Sequence, residues 1–207
     1  MKILAIGSHP DDIEVGCGGT LKKYAQKGDE IYYLIMTMGE QGGDPQVRKK
    51  EQEEAARIMG VKKIFWGGLE DTKIDSRLST IQKVESVIKE VKPVFTFTHY
   101  YNDTHQDHRH LSNAVISAAR YAKNVLFYEG PTTQDFSPTI FSDIEKVLDI
   151  KIALVKAHAS QVMRTNIAGI SIEDIVLSTA NFRGTLARVK YAEGFVPLRV
   201  FINISEE

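Results

Sequence analysis

A single cysteine, Cys17, among 207 residues cannot close an intrachain disulfide, and it points to a reducing compartment. Placed between glycines, it reads as a small buried side chain. Charge of one sign is missing too. With 26 basic and 27 acidic residues the net charge is −1, which argues against general nucleic-acid binding, since that requires a basic surface. No apolar run approaches the length of a membrane span. The run Ile3 to Ile6, ended by Gly7, is too short for a secretory signal, so a cytoplasmic location is expected. No internal repeat, low-complexity segment or linker interrupts the chain. Its 43% hydrophobic and 26% charged residues are ordinary for a soluble globular protein.

Strand-like and helix-like segments alternate along the sequence. The pattern predicts strands over Lys2–Ser8, Glu30–Thr37, Ile64–Trp66, from Pro93 onward, Val125–Tyr128, Thr139–Ile144 and Val196–Ile204. Helices are expected over Gly19–Gln26, Val47–Met59, Ser79–Val91, His108–Ala122, Ile150–Ala157 and Ile172–Val189. Alternation of this kind implies parallel crossovers. The expected fold is a single α/β, Rossmann-like domain over residues 1–207, with a mostly parallel sheet covered by helices on both faces.

The chemistry-bearing residues fall at strand ends, where α/β sheets place their sites. His9, Pro10, Asp11 and Asp12 follow the first strand. His105, Gln106, Asp107 and His108 lie between the fourth strand and an Ala-rich helix. Two adjacent carboxylates repel each other unless a cation or a hydrogen-bond network compensates. Imidazole and carboxylate together are the ligand set of hydrolytic zinc sites. His105 and His108 share one side of a helical turn. His110 points about 200° away from His108 and falls outside, and His99 reads as a hydrogen-bonded sheet-edge histidine, also outside. A dinucleotide site is the rival reading of Gly16, Gly18 and Gly19. It fails because G-x-G-x-x-G needs glycine where Leu21 stands and because the turn carries Asp11, Asp12 and Glu14.

The stretches Ser8 to Glu14, Gly16 to Thr20 and His105-x-Asp107-His108 resemble the LmbE/PIG-L family of zinc-dependent N-deacetylases, near its bacillithiol-precursor deacetylase branch. The likeness continues through Gly39 to Gly42, Arg48, Glu51, Gly68 to Asp71, His158 to Gln161 and Tyr191 to Phe195. It implies His9, Asp12 and His108 as zinc ligands and Asp11 as general base. It also implies a protonated His105, oriented and charged by Asp107, as oxyanion stabiliser, with Arg48, Asp71 and Tyr191 contacting the substrate. Each of these last three has a plain alternative: a solvated helix face for Arg48, an Asx turn for Asp71, and core packing with Phe195 for Tyr191. His158 is expected beneath the site rim, and the segment Gly130–Pro138 is expected to face the substrate. If the chain is extended at Asp11 and Asp12, their side chains diverge. Two departures stand out: Gln106 replaces the Pro common in the second motif, and Asp103 replaces the tyrosine of the mycothiol-type branch. The resemblance implies a Zn²⁺-dependent hydrolase releasing acetate from an N-acetylglucosamine-type sugar or its conjugate. A metallohydrolase of another amide or ester, and a noncatalytic sugar binder, are the alternatives. The expected partner is a small amino-sugar conjugate, with homo-oligomerisation left open.

Overall fold

The computed structural model describes residues 1–202. Among the described residues, seven strands form one sheet in the order β3-β2-β1-β4-β5-β7-β6. They are β1 (Lys2–Gly7), β2 (Glu30–Ile35), β3 (Val61–Trp66), β4 (Phe95–His99), β5 (Val125–Tyr128), β6 (Ile140–Asp143) and β7 (Ala192–Arg199). The first five are parallel; β7 runs antiparallel to β5, and β6 antiparallel to β7. Six α-helices connect them among the described residues: α1 (Asp12–Gln26), α2 (Pro45–Met59), α3 (Leu78–Val91), α4 (Gln106–Ala118), α5 (Leu148–Lys156) and α6 (Ile172–Ala187).

Side chains alternate along each strand, so the sheet is apolar on both faces. Ile3 and Ala5 pack with Ile13, Cys17 and Leu21 of α1, Met59 of α2 and Leu154 of α5. Leu4 and Ile6 pack on the other face with Val84 and Val87 of α3 and Leu111 and Val115 of α4. Because β1 lies between β2 and β4, the connections leave its end in opposite directions and open a crevice between the ends of β1 and β4.

Two elements start furthest from their sequence expectation. α1 begins at Asp12 rather than Gly19. Glycines 16, 18 and 19 are poor helix formers in isolation, but here they let other elements approach: a Cβ on Gly19 would lie 2.8 Å from Ile144, and one on Gly16 would overlap Tyr128. Tertiary packing overrides propensity, and the expected extended geometry at Asp11 and Asp12 is replaced by a helix start. β7 begins at Ala192, four residues before the expected Val196, because Glu193 is buried against Lys151. Its carboxylate also accepts from the Gly19 and Thr20 N–H groups at 2.8 and 2.7 Å. Asn203 and Ile204, the end of the expected closing strand, lie outside the described residues.

Candidate active site

The crevice gathers the two histidine-rich segments. His9 leaves β1, while Asp12 opens α1, where the helix N-terminus favours its charge. His99 ends β4, His105 is the N-cap of α4, and His108 lies in its first turn. These side chains line a cavity of about 430 Å³ together with Asp11, Arg48 and Asp71.

Asp12 stands at the centre. Its Oδ2 accepts the His9 backbone N–H at 2.7 Å and lies 3.3 Å from His9 Nδ1 and 3.1 Å from His99 Nε2. Its Oδ1 is 3.4 Å from His108 Nε2. Both outer histidines are braced from behind. His9 Nε2 lies 2.9 Å from Asp71 and 3.2 Å from Asp107, and His108 Nδ1 lies 3.3 Å from Asp103. Carboxylates behind each ring hold the N–H on that side, leaving His9 Nδ1 and His108 Nε2 to face Asp12. Tetrahedral ligand atoms about 2.0–2.1 Å from a zinc ion stand about 3.4 Å apart, and the ligand atoms of His9, Asp12 and His108 all lie within 4.8 Å of one another. His9, His105 and Asp107 form a second such group, but there His105 Nδ1 already accepts the Asp107 backbone N–H at 3.2 Å. The donor set of the first group fits a divalent ion.

Each titratable group of the cluster is shifted by its neighbours. Burial alone would depress His108, but Asp12 and Asp103 outweigh it and raise its pKa to about 9. His9 is likewise raised against burial by Asp12, Asp107 and Asp71. Asp12 is held well below the usual carboxylate range, despite burial, by His108, His99 and His9. His99 is depressed to about 4 by burial and by the His108 cation, whose ring stacks on it at 3.9 Å.

Asp11 occupies a left-handed backbone position, φ 98°, just before α1. Its N–H donates to Gln52 Oε1 at 3.2 Å, and its Oδ2 lies 3.2 Å from Arg48 Nη2. Burial lifts its pKa to about 6, offset in part by Arg48 and reinforced by Asp12. Arg48 is only 5% exposed, so the solvated-face alternative fails. Its guanidinium donates to Gly39 O at 2.8 Å and Pro10 O at 2.6 Å.

A family model described as PIG-L, GlcNAc-PI de-N-acetylase, matches residues 4–119. The chain belongs to the PIG-L family. It is 36% identical over 167 residues to the uncharacterized deacetylase YaiS of Escherichia coli, covering 76% of this chain and 90% of that one. It is 29% identical to the diacetylchitobiose deacetylase of Thermococcus kodakarensis over 98% of this chain and 85% of the relative. The solved N,N'-diacetylchitobiose deacetylase of Pyrococcus horikoshii superposes with a TM-score of 0.84 at 27% identity, covering 95% of this chain and 83% of that one.

Within this PIG-L chain the remaining expectations divide. Asp71 reaches the site but is turned to His9, and its other oxygen accepts the Gln41 N–H at 3.0 Å. Asp107 turns its carboxylate away from His105: its Oδ2 serves His9 and accepts the Thr72 N–H at 2.8 Å. The pKa of His105 is lowered, by burial and then by His108 and His9, against the direction expected for it. Tyr191 is not brought to the site. It packs against the cluster of Ile144, Val147, Leu148 and Ala180, because the start of β7 pairs with β6 away from the crevice. His110 Nδ1 donates to Ile74 O at 2.7 Å, outside the cavity as expected. His158 is buried 3.5 Å from Glu14, and Gly130, Pro131 and Thr132 line the cavity. Sequence reading missed three residues. His99 ends a strand next to the β1 crevice, a signal outweighed by its bland alternative. Asp103 stands two residues before His105. Gln52 lies four residues after Arg48, on the same helical face.

Proposed function

We propose that the chain is a metal-dependent, zinc-using N-deacetylase that releases acetate from an N-acetylglucosamine-type sugar or its conjugate. The observation that carries this reading is the Asp12-centred group of His9, Asp12 and His108, with Asp11 beside it. Family membership and the two diacetylchitobiose deacetylases support the amide and the sugar class.

His9, Asp12 and His108 would hold the ion. A bound zinc would supply Lewis acidity toward the acyl oxygen and ease proton loss from water. Asp11 takes a proton from the attacking water at the carboxylate oxygen that Arg48 leaves free. Arg48 fixes the other oxygen and keeps the base ionised. His105 accepts the Asp107 N–H at Nδ1, so its proton resides on Nε2. That neutral N–H donates to the oxygen developing negative charge, a donor aimed in advance. Asp11 then carries the proton that the departing amine requires. His99 accepts the Ser8 N–H at 3.1 Å and packs beneath His108 as a spacer.

The test is free-amine release from N-acetylglucosamine and its glycosides by protein purified, stripped with chelator and reloaded with Zn²⁺. Release that disappears on stripping and returns on reloading is expected. Release indifferent to chelator, or none from any amino-sugar amide, refutes the proposal.

A further inference from the structure

The lining of the catalytic cavity divides by topology. Polar groups enter from the β2–β3 side, where Gln41 sits, and from the α5–α6 connection, with Arg164, Thr165 and Asn166. Apolar groups enter from the β5–β7 side: Pro131 after β5, Ile172 and Ile175 on α6, with Val15 of α1 below. An N-acetyl sugar has the same polarity. Its hydroxyls require the polar side, so its acyl methyl faces Val15, Pro131 and Ile175.

Behind that apolar side is a second cavity of about 30 Å³. Val15, Gly130, Pro131 and Ile175 line both cavities, so they form the partition. Ile172 lines the catalytic cavity alone. The charges around the second cavity are already paired, Lys151 with Glu193 and Arg183 with Glu129, and the rest of its lining is mostly apolar, with Val176 and Ala180 among it. An enclosed water takes roughly 10–15 Å³ on this measure. The second cavity therefore holds about two heavy atoms, the difference between an acetyl and a butyryl group.

We infer that Val15 and Ile175 form the wall that ends the acyl pocket and confines the enzyme to short acyl groups, with a ready-made extension of two carbons behind it. The inference rests on the N-deacetylase reading. Shortening either side chain joins the two cavities, and a group of the right length gains contacts that acetyl does not reach. A single methylene in an apolar pocket changes discrimination by roughly 10–200-fold.

The test compares N-acetyl-, N-propionyl-, N-butyryl- and N-hexanoylglucosamine by amine release with zinc-loaded wild type, Ile175→Ala, Val15→Ala and Ile172→Ala. In wild type, kcat/KM is expected to fall about 10-fold or more with each added carbon. In Ile175→Ala or Val15→Ala the butyryl-to-acetyl ratio of kcat/KM rises at least about 10-fold, while hexanoyl stays rejected. Ile172→Ala, with no cavity behind it, leaves that ratio nearly unchanged. The wall is refuted if acetyl turnover persists in either opened variant with the ratio unmoved, or if Ile172→Ala shifts it equally. Absence of amine release from every acyl sugar by wild type overturns the deacetylase reading, and the wall with it. Two opening variants on different helices keep the test decisive if one of them fails to fold.

Discussion

Truncating Arg48 to alanine separates two views of that residue. A guanidinium reaching out to the substrate would, when lost, raise KM and spare kcat. The head group instead lies inside the protein, where it joins two carbonyl oxygens, Gly39 and Pro10, to the Asp11 carboxylate. Hydrogen bonds to charged groups contribute about 1.5–3 kcal/mol each, and removing one partner of a buried ion pair costs about 3–5 kcal/mol. These figures overlap rather than add, and Asp11, with its side chain 25% exposed, keeps some solvent. A loss of roughly 3–5 kcal/mol follows, or about 6–20 °C in Tm for a chain of this size. Chemistry should suffer too. Without the cation the Asp11 pKa rises beyond about 6, moving the acid limb of kcat/KM to higher pH and lowering kcat more than it raises KM. Arg48→Lys keeps a charge but cannot span three acceptors, so it recovers part of each loss. Thermal melts and pH–rate profiles on zinc-loaded protein decide the matter. An unchanged Tm with an effect confined to KM would show that Arg48 works by touching the substrate.

Asp12→Ala should abolish metal binding along with activity, whereas Asp11→Asn should retain metal and lose kcat by roughly 10²-fold or more; metal content and turnover on the same preparations would reverse the assignment if the pattern were opposite. His105→Phe should lower kcat by about 10²–10³-fold without removing the basic limb of the pH profile, because the ring acts while neutral; loss of that limb would restore the imidazolium. Metal affinity should climb with pH, by one to two decades per unit between about pH 6 and 8, as His108, raised to about 9, and His9 release protons to make way for the ion; a flat profile in chelator competition refutes the ligand set. The same protonation stabilises the metal-free fold below the ordinary histidine value of 6.5, and that stability is lost as pH rises through about 9. Tyr191→Phe should leave steady-state kinetics unaltered, and a drop in kcat would place its hydroxyl at the reaction.

The strand and helix order was legible because apolar periodicity reports burial directly: Val125–Tyr128 is a buried strand with the bounds its sequence suggests. Asp12 and His108 were legible as site residues because they stand at strand and helix ends in a recognisable motif. What could not be read depends on partners far along the chain. The glycine-rich start of α1 is helical because Tyr128 and Ile144 press against it. Arg48, in a charged run, is buried because Gly39 and Pro10 offer it carbonyls. Asp107 turned from His105 to His9 across 98 residues of sequence, a choice of rotamer that no spacing rule encodes.

The left-handed backbone at Asp11 also bears on how such a site can decay. A φ of 98° is tolerated by asparagine and glycine and by few other residues. Substitution by glycine relieves strain of order 1–3 kcal/mol, while most other changes add to it. The routes by which the base can be lost without losing the fold are therefore few, and they leave His9, Asp12 and His108 untouched. A lineage drifting from turnover toward mere ligand capture would pass through asparagine or glycine at this one position, so such a replacement in a related chain marks a retired enzyme rather than a misfolded one.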